Sequence, residues 1–187
     1  MGLNCISSLK ELVETLKNSE PKAYVGIADR LDIPVAELIE YTHWEDDAYT
    51  RNLIERTDNF ELMLICWSPG VSTPIHCHDE QRCWVYQLSG KMEEVIYGED
   101  TGETPVPKLR RMLKSGDVYF MEEAKGFHSL HNSTDTPSLS LHLYAKPIDS
   151  CTCYDSDSEK FVPKQMSYHS IKGELVVEQI ATAETAR

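Results

Sequence analysis

The chain is short of positive charge. It has 18 lysines and arginines against 31 aspartates and glutamates, a formal net charge of −13. Nucleic acids and anionic membrane surfaces are held by clustered cations, so both are excluded as partners. An anionic small molecule would need one dedicated local cation. Long apolar runs are also missing. No stretch approaches the roughly 18 consecutive apolar residues of a membrane-spanning helix. Met1 to Glu20 carries Lys10, Glu11, Glu14 and Lys17 where a secretory leader would be apolar. Met1-Gly2 is half of a myristoylation signal, but Ile6 stands where the signal needs Ser or Thr. The six cysteines (Cys5, Cys66, Cys77, Cys83, Cys151 and Cys153) follow no disulfide framework. They read as thiols in a reducing, cytoplasmic compartment. No internal repeat or low-complexity tract is present.

What is present suits one domain. At 187 residues a chain buries roughly 70% of its unfolded surface, enough to fold without disulfides or a structural metal. Residues 7–18 predict a helix, with Ser8 and Glu11 as a capping box and Leu9, Leu12, Val13 and Leu16 at helical spacing. Further helices are expected over 22–31 and, after Pro34, over 35–41. From Ala48 short strand-like runs take over: 49–54, 60–67, 83–88, 91–97, 109–113, 118–121, 139–144 and 164–169. Segment 147–159 reads as a connecting loop and the tail from Ala181 as frayed. Many short strands without intervening helices mean a mainly β sandwich or barrel. The division is a helical segment 1–45, a barrel 46–173 and a tail 174–187.

The chemistry gathers around His76-Cys77-His78. Alternate side chains of an extended chain share a face, so H-x-H aims two imidazoles into one space, and a metal is the commonest reason for that. His128 is the candidate third ligand, with His131 competing. Cys77 should point away from the metal. Three neutral histidines leave coordination positions open and suit Fe or Zn alike; the residues alone do not choose. Arg51 is the cation that could accept a carboxylate. His142 and Tyr144 share one strand face. Cys151-Thr152-Cys153 is too closely spaced for an ordinary metal clamp and reads as an exposed thiol pair. His43 and His169 match no motif and read as structural, with His169 also a candidate for the pocket wall.

Gly70, His76-x-His78 and Gly90 resemble the first motif of the cupin superfamily, with Cys83 where Glu usually stands. Gly116, His128 and Asn132 resemble its second motif, with Glu122 and Ala124 replacing the usual Pro and Gly. Tyr49-Thr50-Arg51-Asn52-Leu53, Leu64-Ile65-Cys66-Trp67, His76-x-His78-x₄-Cys83, Gly126-x-His128 and Ser138-Leu139-Ser140-Leu141-His142-Leu143-Tyr144 together resemble the cysteine dioxygenase family, from about Thr42 to Gly173. That resemblance implies a cupin-type β-barrel, or small jelly roll, with the N-terminal helices packed outside. It implies one Fe(II) per chain and conversion of L-cysteine and O₂ to cysteine sulfinic acid, the first step of cysteine catabolism toward taurine and sulfate. His76, His78 and His128 fall on the family's iron ligands and Arg51 on its carboxylate grip. Tyr49 matches a pocket-lining position, and Cys151 a cysteine near the entrance. Cys83 and Tyr144 fall on a thioether cross-linked pair, and Ser140 and His142 on the residues that orient the tyrosine hydroxyl. A monomer is expected. A thiol such as 3-mercaptopropionate as substrate, or a zinc cupin without redox chemistry, remains an alternative on the residues themselves.

Overall fold

The computed structural model describes residues 5–78, 81–98, 104–121 and 126–176. The chain begins with helix α1 (Leu9–Lys17), capped by Ser8, whose hydroxyl accepts from the Glu11 N–H at 3.2 Å. The Glu11 carboxylate reaches back to the Ser7 N–H at 3.1 Å, a near version of the expected capping box. Leu9, Leu12 and Leu16 form its buried stripe. The helix expected over 22–31 is shorter. A 3₁₀ turn over Pro21–Ala23 leads into α2 (Tyr24–Ala28). Beyond it the chain is drawn out by Ile6, whose N–H donates to Arg30 O and whose carbonyl accepts from Asp32 N–H. Residues Val35–Tyr41 are wound as 3₁₀ helix behind Pro34. No helix among the described residues is long and apolar enough to cross a membrane.

Twelve strands follow among the described residues: β1 (Thr50–Arg56), β2 (Glu61–Trp67), β3 (Arg82–Ser89), β4 (Lys91–Tyr97), β5 (Pro107–Lys114), β6 (Val118–Met121), β7 (His128–His131), β8 (Ser138–Ala145), β9 (Ser150–Asp155), β10 (Lys160–Gln165), β11 (Ser170–Ile171) and β12 (Glu174–Leu175). They form a seven-stranded sheet ordered β12-β11-β1-β2-β8-β3-β6, a three-stranded sheet β5-β4-β7 and the hairpin β9-β10. The fold is mainly β, as expected. It is a jelly roll of separate sheets rather than one closed hydrogen-bonded barrel.

Two corrections concern the C-terminal third. The stretch read as a loop over 147–159 contains β9, and the strand expected over 164–169 ends at Gln165, because it is the second half of that hairpin. Ser, Thr and Asp gave this segment a loop-like composition, and its strand β10 carries Pro163. Proline is tolerated here because the hairpin is only two strands wide. β12 lies in the stretch read as tail, and the residues from Ala181 fall outside those described.

The large sheet separates two apolar clusters. Leu62, Leu64, Leu141 and Leu143 face α1 and α2. Met63, Ile65, Trp67 and Val85 face inward and meet Met92, Leu113 and Leu130 of the smaller sheet. Because both faces are covered, β2 is buried along its whole length, which explains its almost unbroken apolar sequence. The site opens between the two sheets, on the inner side.

Candidate active site

His76 and His128 are held opposite each other by their backbones: each N–H donates to the other's carbonyl at 2.9 Å. The segment carrying His76 is not a regular strand. It is an extended loop bridged to β7 at His128 and to β9 at Cys153, and this suffices to turn His76 and His78 toward one space. Ligand-capable nitrogens of His76, His78 and His128 lie within 4.8 Å of one another, the group among the described residues suited to a metal. The Nε2 atoms of His78 and His128 are 3.2 Å apart. His131 alternates away on β7 and pairs with Ser129 Oγ at 2.7 Å; it is not in the group. Neither is Cys77.

The imidazoles have properties suited to metal ligation. Burial pushes the pKa of all three down, and for His78 and His128 proximity to the other histidines adds to it. Each is therefore neutral near pH 7. His76 Nδ1 lies 3.0 Å from Pro74 O, and a carbonyl only accepts, so Nδ1 carries the proton and Nε2 the lone pair. His128 Nδ1 lies 2.8 Å from Glu94 Oε1, with the same consequence. Carbonyl or carboxylate partners on the second ring nitrogen are what metal-ligating histidines normally have. A divalent cation fits this donor set. Three neutral ligands leave its full charge in place, with positions to spare for further ligands.

Glu94 is a residue of the site that sequence reasoning missed. It is fully buried, pairs with Arg111 directly across β4 and β5, and holds His128 on the neighbouring strand. Burial raises its carboxyl pKa and Arg111 pulls it back. The available signal was parity: Glu94 shares a face of β4 with Met92 and Ile96, an acid on the apolar side of a strand.

On the opposite wall Arg51 is 7% exposed. Its Nη1 donates to Ser167 O at 3.0 Å and its Nη2 to Glu61 Oε1 at 3.2 Å. Tyr49 stacks on Trp67 with ring centroids 5.1 Å apart. Trp67 Nε1 donates to Ser140 Oγ at 2.8 Å, and Ser140 Oγ lies 2.9 Å from His142 Nε2. Since Ser140 accepts from Trp67, its own proton is available to His142, whose pKa burial lowers to about 3. Cys83 and Tyr144 are direct cross-strand partners on β3 and β8. Burial raises the pKa of both the thiol and the phenol.

Tyr49, Arg51, His76, His78, His128, His142 and Tyr144 line one cavity, partly open to solvent. Cys83 and Ser140 stand behind this lining, against Tyr144 and His142. Cys151 and Cys153 are buried, not exposed; as β9 residues of one parity they turn inward, with sulfurs 3.5 Å apart and Cys151 Sγ 3.3 Å from Met166 Sδ. His43 binds Gly173 O at 3.0 Å and His169 lies 3.7 Å from Glu45, both away from the cavity.

Comparison with known proteins agrees with this geometry. A family model described as cysteine dioxygenase type I matches residues 5–157. Cysteine dioxygenase type 1 from Homo sapiens is 30% identical over 149 residues, 78% of this chain and 74% of that protein. The Bos taurus enzyme is 30% identical over 139 residues, covering 72% and 70%. That of Danio rerio is 26% identical over 151 residues, covering 78% and 75%. Among solved structures, a conserved Klebsiella pneumoniae protein with a double-stranded β-helix domain aligns with a TM-score of 0.50 at 16% identity. The alignment covers 68% of this chain and 87% of that one, a likeness of fold.

Proposed function

The chain belongs to the cysteine dioxygenase type I family, and we propose that it is an iron(II)-dependent thiol dioxygenase converting L-cysteine and O₂ to cysteine sulfinic acid. The observation that carries this reading is one cavity with three neutral imidazoles on one wall and a buried guanidinium on the other. His76, His78 and His128 would hold the iron. Bound there, iron(II) supplies a site that favours the thiolate form of a substrate and admits O₂.

The remaining work falls to the chain. Arg51 binds the substrate carboxylate through its planar fork. Two of its five N–H groups are engaged by Ser167 and Glu61, and the other three can serve a ligand. Tyr49, braced on Trp67, closes the wall beside it. Ser140 fixes His142 with Nε2 as acceptor, and His142 in turn orients the Tyr144 hydroxyl toward the substrate. Tyr144 holds its proton through neutral pH, since burial raises its pKa. Its position opposite Cys83 suits a thioether between the cysteine sulfur and the phenol ring. That bond removes one hydrogen from each partner, with O₂ as oxidant. We place the enzyme in the cytoplasm as a monomeric single cupin domain with one iron per chain, in keeping with the reducing surroundings that six cysteines favour.

The test is oxygen uptake by metal-stripped protein reloaded with Fe(II) or Zn(II), supplied with L-cysteine, 3-mercaptopropionate or cysteamine. The reading predicts uptake with iron alone, sulfinate as product and L-cysteine as the preferred thiol. Activity restored by zinc would overturn the iron assignment. Equal rates on cysteamine would remove Arg51 as the carboxylate grip.

A further inference from the structure

Arg51 does not stand alone. Glu61, fully buried on β2, accepts from Arg51 Nη2 through Oε1 at 3.2 Å. Through Oε2 it accepts from Arg56 Nη1 at 3.1 Å and from the Ile148 N–H at 3.2 Å. Arg56 also donates to the Tyr168 hydroxyl at 2.6 Å and to Asp149, an exposed carboxylate, at 2.7 Å. The Tyr168 ring in turn lies under the Arg51 guanidinium, 5.3 Å from its centre. Two arginines, one enclosed carboxylate and one tyrosine thus form a continuous network behind the cavity wall.

A backbone irregularity builds it. Residues 51 and 56 are an odd number apart, so a regular strand would point them to opposite faces. Between Leu53 and Glu55 the pairing of β1 with β2 slips by one residue, a β-bulge at Ile54. The bulge reverses the alternation and returns Arg56 to the inner face, directly across from Glu61.

The charges explain the need for it. Glu61 orients Arg51, but a carboxylate that fully neutralised Arg51 would repel a substrate carboxylate from the same guanidinium. Arg56, half-buried, offsets that charge from the far side, so the two arginines and Glu61 carry one positive charge in excess, while the exposed Asp149 beside Arg56 is screened by solvent. We propose that Glu61 is a positioning residue for Arg51, and that Arg56 is a specificity-determining residue, acting through Glu61, that keeps Arg51 electrostatically open to a carboxylate-bearing thiol. This rests on the reading of Arg51 as the carboxylate grip.

The experiment compares iron-loaded wild type with Arg51→Gln, Arg56→Gln, Arg56→Lys and the double variant Glu61→Gln/Arg56→Gln. Each is assayed for KM and kcat with L-cysteine, and with cysteamine as a competing thiol that lacks the carboxylate. Arg56→Gln removes one charge and should raise the KM for L-cysteine about tenfold or more, with kcat and cysteamine affinity changed less than about threefold. Arg56→Lys keeps the charge while losing the fork; the double variant restores the charge balance, and the amide oxygen it puts at position 61 can still accept from Arg51. Both should return to within roughly threefold of the wild-type KM. Equal damage by Gln and Lys, no recovery in the double variant, or equal loss of cysteamine affinity would overturn the role of Arg56. If Arg51→Gln leaves the advantage of L-cysteine over cysteamine intact, the carboxylate-grip reading itself falls. If it abolishes that advantage while Arg56→Gln does nothing, only the present proposal falls.

Discussion

The two faces of strand β8 do different jobs. Leu139, Leu141 and Leu143 point into the cluster beneath the helices. Ser138, Ser140, His142 and Tyr144, from the same eight residues, point into the interior between the sheets. Every one of these side chains except Tyr144 and Leu139 is less than 4% exposed, so burial does not distinguish the faces. Chemistry does. The leucine face is stabilised by area removed from water, whereas the other face holds polar groups whose burial is tolerated because partners satisfy them, as Trp67 does for Ser140 and Ser140 for His142. One strand therefore secures the fold on one side and positions reactive groups on the other.

Substitutions on the leucine face of β8 and in the polar site that its other face meets should separate the two jobs. The largest effect on function is expected on the polar side of the molecule. His128→Ala should lower iron occupancy and turnover more than about a hundredfold, since even partners of metal ligands are worth 10–100-fold, while the melting temperature of the metal-free protein changes little. Leu141→Ala should do the reverse. It should cost about 2–5 kcal/mol in denaturant unfolding, with turnover per bound iron retained in the folded fraction. Loss of turnover per iron in this variant would break the division between the faces.

Glu94→Gln is milder. It preserves shape but not charge, and should weaken iron affinity roughly 10–100-fold, read by metal competition. The pH dependence of stability separates the faces more finely. His142 has a folded pKa near 3, lowered by burial first and then by the Arg51 guanidinium and the neighbouring His76, against about 6.5 unfolded. The unfolded chain thus binds the proton more readily. Stability is fully present above about pH 6.5 and declines as pH falls toward 3, by about 1.4 kcal/mol per pH unit for one group. His142→Gln should make this decline shallower in metal-free protein, and Leu141→Ala should leave its slope unchanged.

Much of this was legible in the sequence, and the limits were physical. Period-two alternation in Ser138 to Tyr144 announced both the strand and its division of faces. H-x-H announced convergence, although an extended loop rather than a strand delivers it. Glu94 was hidden because its partners come from β5 and β7, and an adjacent Glu93-Glu94 pair looks like solvated charge. Glu61 and Arg56 were hidden more deeply. Their encounter with Arg51 depends on a bulge at Ile54 that shifts parity, and no residue there announces it. The hairpin β9-β10 was missed because Ser, Thr and Asp favour turns locally, while its pairing is set by partners across the hairpin.

The most direct measurement uses oxygen-18 gas, iron-loaded protein and L-cysteine, followed by product mass. The account predicts cysteine sulfinic acid with both added oxygens labelled, and none formed by His128→Ala protein. Cystine as the main product, or a single labelled oxygen with the other drawn from water, would contradict it.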